Sequence, residues 1–248
     1  MNRPVEGRRV SVVIPVFNER DSLPLVIAAI PSSAVDEIVV VDNGSTDGTA
    51  EVARGLRVAL PIRTVRELRR GYGSACLAGV AALAVRPPDV IVFLDGDYSD
   101  HPEEMPRLLE AIEGGADLVI GSRTLGRREP GALLPQARMG NALACALIRA
   151  FYGHRYTDLG PFRAIRREAY DRLHMADPDF GWTCEMQVKA LQAGLRVTEV
   201  PVSYRRRVGV SKITGTVSGT VRAGWKILST IFRARYGRGR PRPHSPPV

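Results

Sequence analysis

The chain is poor in cysteine, poor in aromatic residues, and without any long uncharged apolar run. Its three cysteines, Cys76, Cys145 and Cys184, are scattered. They form neither a disulfide framework nor a metal-ligand pair, and read as small core residues in a reducing compartment. Aromatic residues are 6% of the sequence, too few for the stacking platforms of a single-strand nucleic-acid binder, and no nucleic-acid motif is present. No window holds the roughly 18 apolar residues a membrane span needs. The opening residues, Met1 to Arg9, have no apolar core or cleavage-like site, so the reading is a cytoplasmic protein without a secretory leader. Acidic residues are absent beyond Glu199, whereas eleven arginines and lysines follow from Arg205 to Arg242. That basic end attracts polyanions, whether phosphate groups, anionic lipid or nucleic acid.

What is present is the ordinary composition of a globular domain, with 44% hydrophobic and 25% charged residues in 248. Val10–Ile14, Glu37–Val41, Ile62–Val65, Val90–Leu94 and Asp117–Ile120 are short Val/Ile-rich runs without polar alternation, as expected of strands buried on both faces. Amphipathic stretches separate them, at Asp21–Ile30, Thr46–Arg54, Ser74–Val85 and Glu103–Glu113. The alternation predicts a doubly wound, mostly parallel α/β sheet. In the second half, Met139–Tyr152 and Trp182–Ala193 are expected helices, Gly160–Ile165 a strand or loop, and Arg196–Val200 and Val202–Tyr204 short strands around Pro201.

Ligands of such sheets bind beyond the carboxyl ends of the strands, so the residues following each strand are the candidates. Asn18, Ser45 and Asp47 are good helix-cap types as well as possible ligand contacts. Asp42 precedes its helix by too much to cap it and is read as ligand-binding. After the fourth strand comes Asp95-Gly96-Asp97, two carboxylates able to converge on Mg2+ or Mn2+ and, through it, on a diphosphate. Pro102 and the acids beside it are ordinary helix-start chemistry, and His101 is read as structural. Gly71-Tyr72-Gly73 lacks the third glycine and the position of a dinucleotide fingerprint.

Taken in order, Val12–Glu19, Val40–Thr49, the Asp95-Gly96-Asp97 triplet and Gly121-Ser122-Arg123 closely resemble glycosyltransferase family 2, particularly its polyprenyl-phosphate, dolichyl-phosphate mannose synthase-like branch. The likeness runs from about Val10 to Lys212. It implies a GT-A fold over 10–212, a UDP- or GDP-sugar donor, and inversion at the anomeric carbon. It sets Pro15, Phe17, Glu19 and Asp42 around the nucleoside, and Asp95 and Asp97 at metal and diphosphate, with Asp97 also counted as catalytic. Arg123 joins the donor site through its motif. Asp158-Leu159-Gly160-Pro161-Phe162-Arg163 matches a segment lying near donor and acceptor, while Arg205, Arg207, Gly209, Ser211 and Lys212 match a basic segment that closes over the phosphates. Guanidinium and ammonium groups beside a glycine hinge suit that role, and a solvated charge run is the alternative. Tyr98-Ser99 departs from the residue pair common in soluble members, where a third metal ligand could stand.

A polyprenyl-phosphate acceptor, with a second pKa near about 6, needs little deprotonation, whereas an alcohol acceptor would need Asp158 or Glu185 as base. Glu185 also has a structural reading, at the positive end of its helix. Residues 213–235 repeat Val217, Val221, Trp225, Leu228 and Phe232 at helical spacing among basic residues, fitting either a membrane surface or packing on a protein. The stretch 236–248 is expected to be a disordered basic tail and 1–9 an N-terminal arm. The expectation is a peripheral enzyme at the cytoplasmic membrane face. Its alternatives are the same chemistry on a soluble acceptor, or a non-catalytic nucleotide-sugar-binding protein.

Overall fold

A computed structural model describes residues 7–209, together with Ser229. Ser211, Lys212, nearly all of the expected amphipathic helix 213–235 and the tail lie outside the described residues.

The first three β-branched runs form β1 (Val10–Val16), β2 (Glu37–Asp42) and β3 (Ile62–Arg66). They are followed by β4 (Val90–Phe93), β5 (Leu118–Ser122), β6 (Arg163–Arg166) and β7 (Val197–Pro201). The seven strands make one sheet in the order β3-β2-β1-β4-β6-β5-β7. β1 lies parallel to β2 and β4, β2 to β3, and β5 to β7, while β6 is antiparallel to both its neighbours. Only β6 therefore runs against the rest. It is four residues long and begins with Arg163, which explains why the sequence left it open between strand and loop.

Residue alternation along the strands splits the core in two. Val13, Val39, Val41, Ile91 and Phe93 face one layer. There they meet α3 (Tyr72–Ala82), α5 (Pro135–Tyr152), α6 (Arg167–Leu173) and α7 (Trp182–Gln192). Val12, Ile14, Ile38, Val40 and Val92 face the other. That layer holds α1 (Leu23–Ala29), α2 (Thr49–Gly55) and α4 (Met105–Glu113). Strands covered on both faces favour apolar side chains throughout, which is why β1, β2 and β4 lack alternation. In contrast β3, expected to be buried, lies at the sheet edge with Arg63 and Arg66 exposed. The sequence reading missed α6, a seven-residue helix whose apolar face is three residues, Ala169, Tyr170 and Leu173. Tyr204, expected at the end of a strand, makes only isolated bridges to Asp100 and Arg128. Burial pushes the thiols of Cys145 and Cys184 up to about 12, in keeping with packing residues.

Gly71 and Gly73 have a packing role. The loop before α7 crosses the start of α3 so closely that a Cβ on Gly73 would lie 2.0 Å from the Asp177 carbonyl oxygen, and one on Gly71 2.2 Å from that of Pro178. The Ser74 amide donates to the Pro178 carbonyl at 2.8 Å. Gly140, inside α5, has nothing within 4 Å of the same position. The two sites should respond oppositely to one methyl group. Gly73→Ala is expected to lower the melting temperature by roughly 4–10 °C through overpacking. Gly140→Ala should raise it by about 2–4 °C through helix propensity. Thermal scans of both variants check this, and a Gly73→Ala protein as stable as the parent would contradict the close crossing.

Candidate active site

The carboxyl ends of β1, β2 and β4 open into a cleft of about 510 Å³. Pro15, Phe17, Glu19, Asn43, Arg70, Tyr72, Asp95, Asp97, Asp179 and Arg207 all contribute to its lining. Its walls are loops stitched to one another. Asn18 takes a left-handed conformation, φ 56°. Its side-chain oxygen accepts from the Thr46 amide at 2.8 Å, and its own amide donates to Ser45 Oγ at 2.9 Å. Asp47 accepts from the amides of Thr49 and Arg20. These side chains join the loop after β1 to the loop after β2 and leave the start of α1 uncapped. Asp42 accepts from the Ser45 amide at 3.0 Å, holding that turn behind the cleft wall. Its neighbour Asn43 reaches the cleft. Asn43 donates to the carbonyls of Glu67 and Arg69 and accepts from the Gly71 amide, which fixes the loop leading into α3.

Asp95-Gly96-Asp97 follows β4. A Cβ on Gly96 would meet Val16 Cγ1 at 2.6 Å, so the turn packs against β1 in a way only glycine permits. The carboxylates differ in environment. Asp95 Oδ1 is enclosed and makes no hydrogen bond of normal geometry, with the Tyr72 hydroxyl close enough to favour its charged form. Burial, then the charge of Asp97, raise the Asp95 carboxyl to about 7, with Arg207 opposing. Asp97 is satisfied: Oδ1 accepts from the Ser99 amide and hydroxyl, and Oδ2 from the Arg207 guanidinium. Arg207 also lies 3.9 Å from Glu19. The strand-like segment carrying it is tied down by backbone bonds, Arg205 N to Ser99 O and Val208 N to Asp97 O, at 2.9 and 3.0 Å. Beside it, Asp100 is buried with neither carboxylate oxygen paired. Burial, then Asp95 and Asp97, push it well above the carboxylate range.

An enclosed carboxylate oxygen without a normal hydrogen bond, one residue from a second carboxylate, fits a hard cation. Among the described residues no three His, Cys, Asp or Glu side chains converge as a protein-only cage. That suits cations held by one or two carboxylates together with substrate phosphates.

Other expected site residues stand elsewhere. Arg123 and the fully buried Asp158 form a closed pair. The guanidinium donates to both carboxylate oxygens at 2.8 and 2.7 Å, and the Arg123 amide adds a third bond at 2.8 Å. Glu185 turns away from the cleft, accepts from the Ala176 and Asp177 amides and pairs with Lys189 at 2.8 Å. It thus shapes the loop that brings Asp179 and Phe180 to the lining. Arg205 lies over the Tyr98 ring, 3.7 Å from its centroid, and donates to the Asp100 carbonyl. Arg163 is buried and donates to the carbonyls of Leu159, Gly160 and Thr183, pinning a loop to the start of α7. Sequence reasoning missed Asn43, Arg70, Tyr72, Asp179 and Phe180. Arg70 lies 3.9 Å from the centroid of Phe17. A basic pair before Gly71 was the one available signal for it.

A mostly parallel sheet with this carboxylate pair at the end of its fourth strand defines a GT-A glycosyltransferase. Residues 11–174 match the profile described as Glycosyl transferase family 2, and the chain belongs to that family. It is 40% identical to an uncharacterized glycosyltransferase of Mycobacterium bovis, over 90% of this chain and 99% of the relative. It is 35% identical to a polyprenol monophosphomannose synthase of Mycolicibacterium smegmatis, over 96% and 92%. An undecaprenyl-phosphate mannosyltransferase of Micrococcus luteus is 36% identical, over 85% and 90%. The last two are named for the polyprenyl-phosphate branch that the motifs resemble. In fold, the chain is similar to glucosyl-3-phosphoglycerate synthase of Mycobacterium tuberculosis, crystallised with Mn2+, UDP and glucosyl-3-phosphoglycerate. The TM-score is 0.72 at 24% identity, covering 94% of this chain and 81% of that one.

Asp158→Asn is expected to cost about 3–5 kcal/mol of stability, because it leaves Arg123 buried without a counter-charge. Urea unfolding measures this. A variant of unchanged stability would mean that the pair is not structural.

Proposed function

We propose that the chain transfers a sugar, with inversion, from a UDP- or GDP-sugar to polyprenyl phosphate at a membrane surface. The observation that carries the donor half is the arrangement of Asp95, Asp97 and Arg207 in one cleft with Phe17 and Arg70. Phe17 offers an aromatic face to a base and Arg207 a guanidinium to the diphosphate. Asp95 and Asp97 would hold Mg2+ or Mn2+, whose chemistry there is to offset the charge gathering on the departing diphosphate. Arg207, now on Asp97, has the reach and charge to follow the diphosphate once that carboxylate is otherwise engaged. The Mn2+ and UDP of the structurally similar synthase support this reading of the cleft.

The acceptor half rests on a second cavity of about 390 Å³, lined by Thr124, Arg128, Leu133, Arg138, Met139 and Thr157 among others. Thr124 and Thr157 adjoin Arg123 and Asp158, so the cavity opens beside that pair. Two arginines with Leu133 and Met139 suit a phosphate attached to a hydrocarbon chain. Met139 and Leu143, one turn apart on α5, are exposed at 72% and 51%, an apolar face available to a lipid surface. Among the described residues no helix is long and apolar enough to cross a membrane. A phosphate acceptor is its own nucleophile. This agrees with both candidate bases, Asp158 and Glu185, being engaged in structural bonds. The names of the Mycolicibacterium and Micrococcus relatives support the same acceptor class.

Calorimetry with UDP- and GDP-sugars, each with Mn2+ and with EDTA, tests the donor half. Micromolar, metal-dependent binding of one donor class is expected, lost in Asp97→Ala, and a folded protein that binds no donor would overturn it. Incubation with that donor and polyprenyl phosphate should give a lipid-linked sugar. Transfer only to a water-soluble acceptor would overturn the lipid half alone.

A further inference from the structure

Asp179 takes no part in the chemistry assigned to the cleft above, yet it lines that cleft together with Phe17, Arg70, Tyr72, Asp95 and Asp97. Unlike Asp97, Asp158 and Glu185, its carboxylate makes no hydrogen bond or ion pair among the described residues. Its backbone, in contrast, is held from several sides. The Asp179 amide donates to Asp177 Oδ1 at 2.8 Å, and its carbonyl accepts from Trp182 at 3.1 Å. Glu185 grips the amides of Ala176 and Asp177. The preceding Pro178 lies against Gly71 and Gly73, and a Cβ on Gly71 would come 3.6 Å from Asp179 Cα. A free carboxylate on an immobilised turn, inside a cleft, is a preorganised acceptor.

We infer that Asp179 binds a pair of hydroxyl groups of the donor, on the ribose or on the transferred sugar, and so helps to set which donor is accepted. The inference rests on the reading of the cleft as a nucleotide-sugar site. An ionised carboxylate only accepts hydrogen bonds and repels phosphate, so its partners in such a ligand are O–H or N–H groups. Two oxygens match two adjacent hydroxyls. Among the described residues Asp179 does not join Asp95 and Asp97 in a three-carboxylate cluster, which favours hydroxyls over the cation as its partner. Removing a charged acceptor from hydroxyls it serves is selective, because the same site then discriminates poorly against a donor lacking them.

Asp179→Asn keeps the shape and removes the charge. With the full chain and Mn2+, calorimetry should be run on the nucleoside monophosphate, the nucleoside diphosphate and the nucleotide sugar, for wild type and variant, with thermal scans to confirm folding. A loss of about 10- to 100-fold is expected for the nucleotide sugar. If the partner is the transferred sugar, the nucleoside diphosphate binds unchanged. If it is the ribose, all three ligands weaken alike. In either case the loss should vanish against the deoxy analogue lacking the partner hydroxyl, a cancellation that mere loop damage would not produce. Equal affinities in wild type and variant would overturn the inference, as would a variant that binds donor normally but fails to turn over. A change confined to the choice between uracil and guanine would overturn it too, by assigning Asp179 to the base. If wild type itself binds no nucleotide, the reading of the cleft falls, and this inference with it.

Discussion

The structure is organised around crowded negative charge at the end of β4. Asp95, Asp97, Asp100 and Asp158 lie close enough for the other three all to raise the Asp100 carboxyl, in surroundings that already disfavour ions. Two arginines make this tolerable. Arg123 closes on Asp158 from the β5 side, and Arg207 reaches Asp97 from the segment after β7. Both come from parts of the chain far from the acids in sequence, so the charge balance also fastens the second half of the molecule to the first. The exception is Asp95 Oδ1, enclosed without a hydrogen bond of normal geometry and with only the Tyr72 hydroxyl beside it as a donor.

The first half of the fold was legible because β1, β2 and β4 are buried on both faces, whereas β3, at the sheet edge, is only partly buried. Val and Ile runs announce such strands directly, and each carboxyl end then indicates where to look. Asp95 and Asp97 were found in this way, Pro15, Phe17 and Glu19 through the family resemblance, and all five meet in one cleft. Legibility declined where position depends on tertiary contacts. β6 has no apolar run and is held by its neighbours, with Arg163 buried against main-chain carbonyls in place of an apolar anchor. Asp179 and Arg70 reach the cleft only because other residues hold their loops in place, and a local pattern does not record that.

Residue type alone does not separate binding from structural roles where one chemistry serves both. Asp42, Asp158 and Glu185 are carboxylates near strand or helix ends, as catalytic or binding acids would be. In the folded chain each of them makes structural bonds. Asp42 braces a turn, Asp158 neutralises an arginine, and Glu185 grips a loop. Asn18 and Asp47, read as caps or contacts, join two loops. The functional cleft is thus surrounded by polar side chains whose service to it is positional. The glycines of Gly71-Tyr72-Gly73 belong to the same group, since their missing side chains let the Asp179 loop approach.

The bond between Arg207 and Asp97 has a consequence for the resting protein. The arginine is attached a few residues from backbone contacts with the same turn, so its local concentration at the carboxylate is on the order of millimolar or more. On the proposed reading of the cleft, an incoming cation would meet an incumbent that cannot diffuse away. A bare ion is at a disadvantage in that contest, whereas an ion arriving with a diphosphate offers the displaced guanidinium a new anion in exchange. On that same reading, the contact would favour the loaded pair over either component alone.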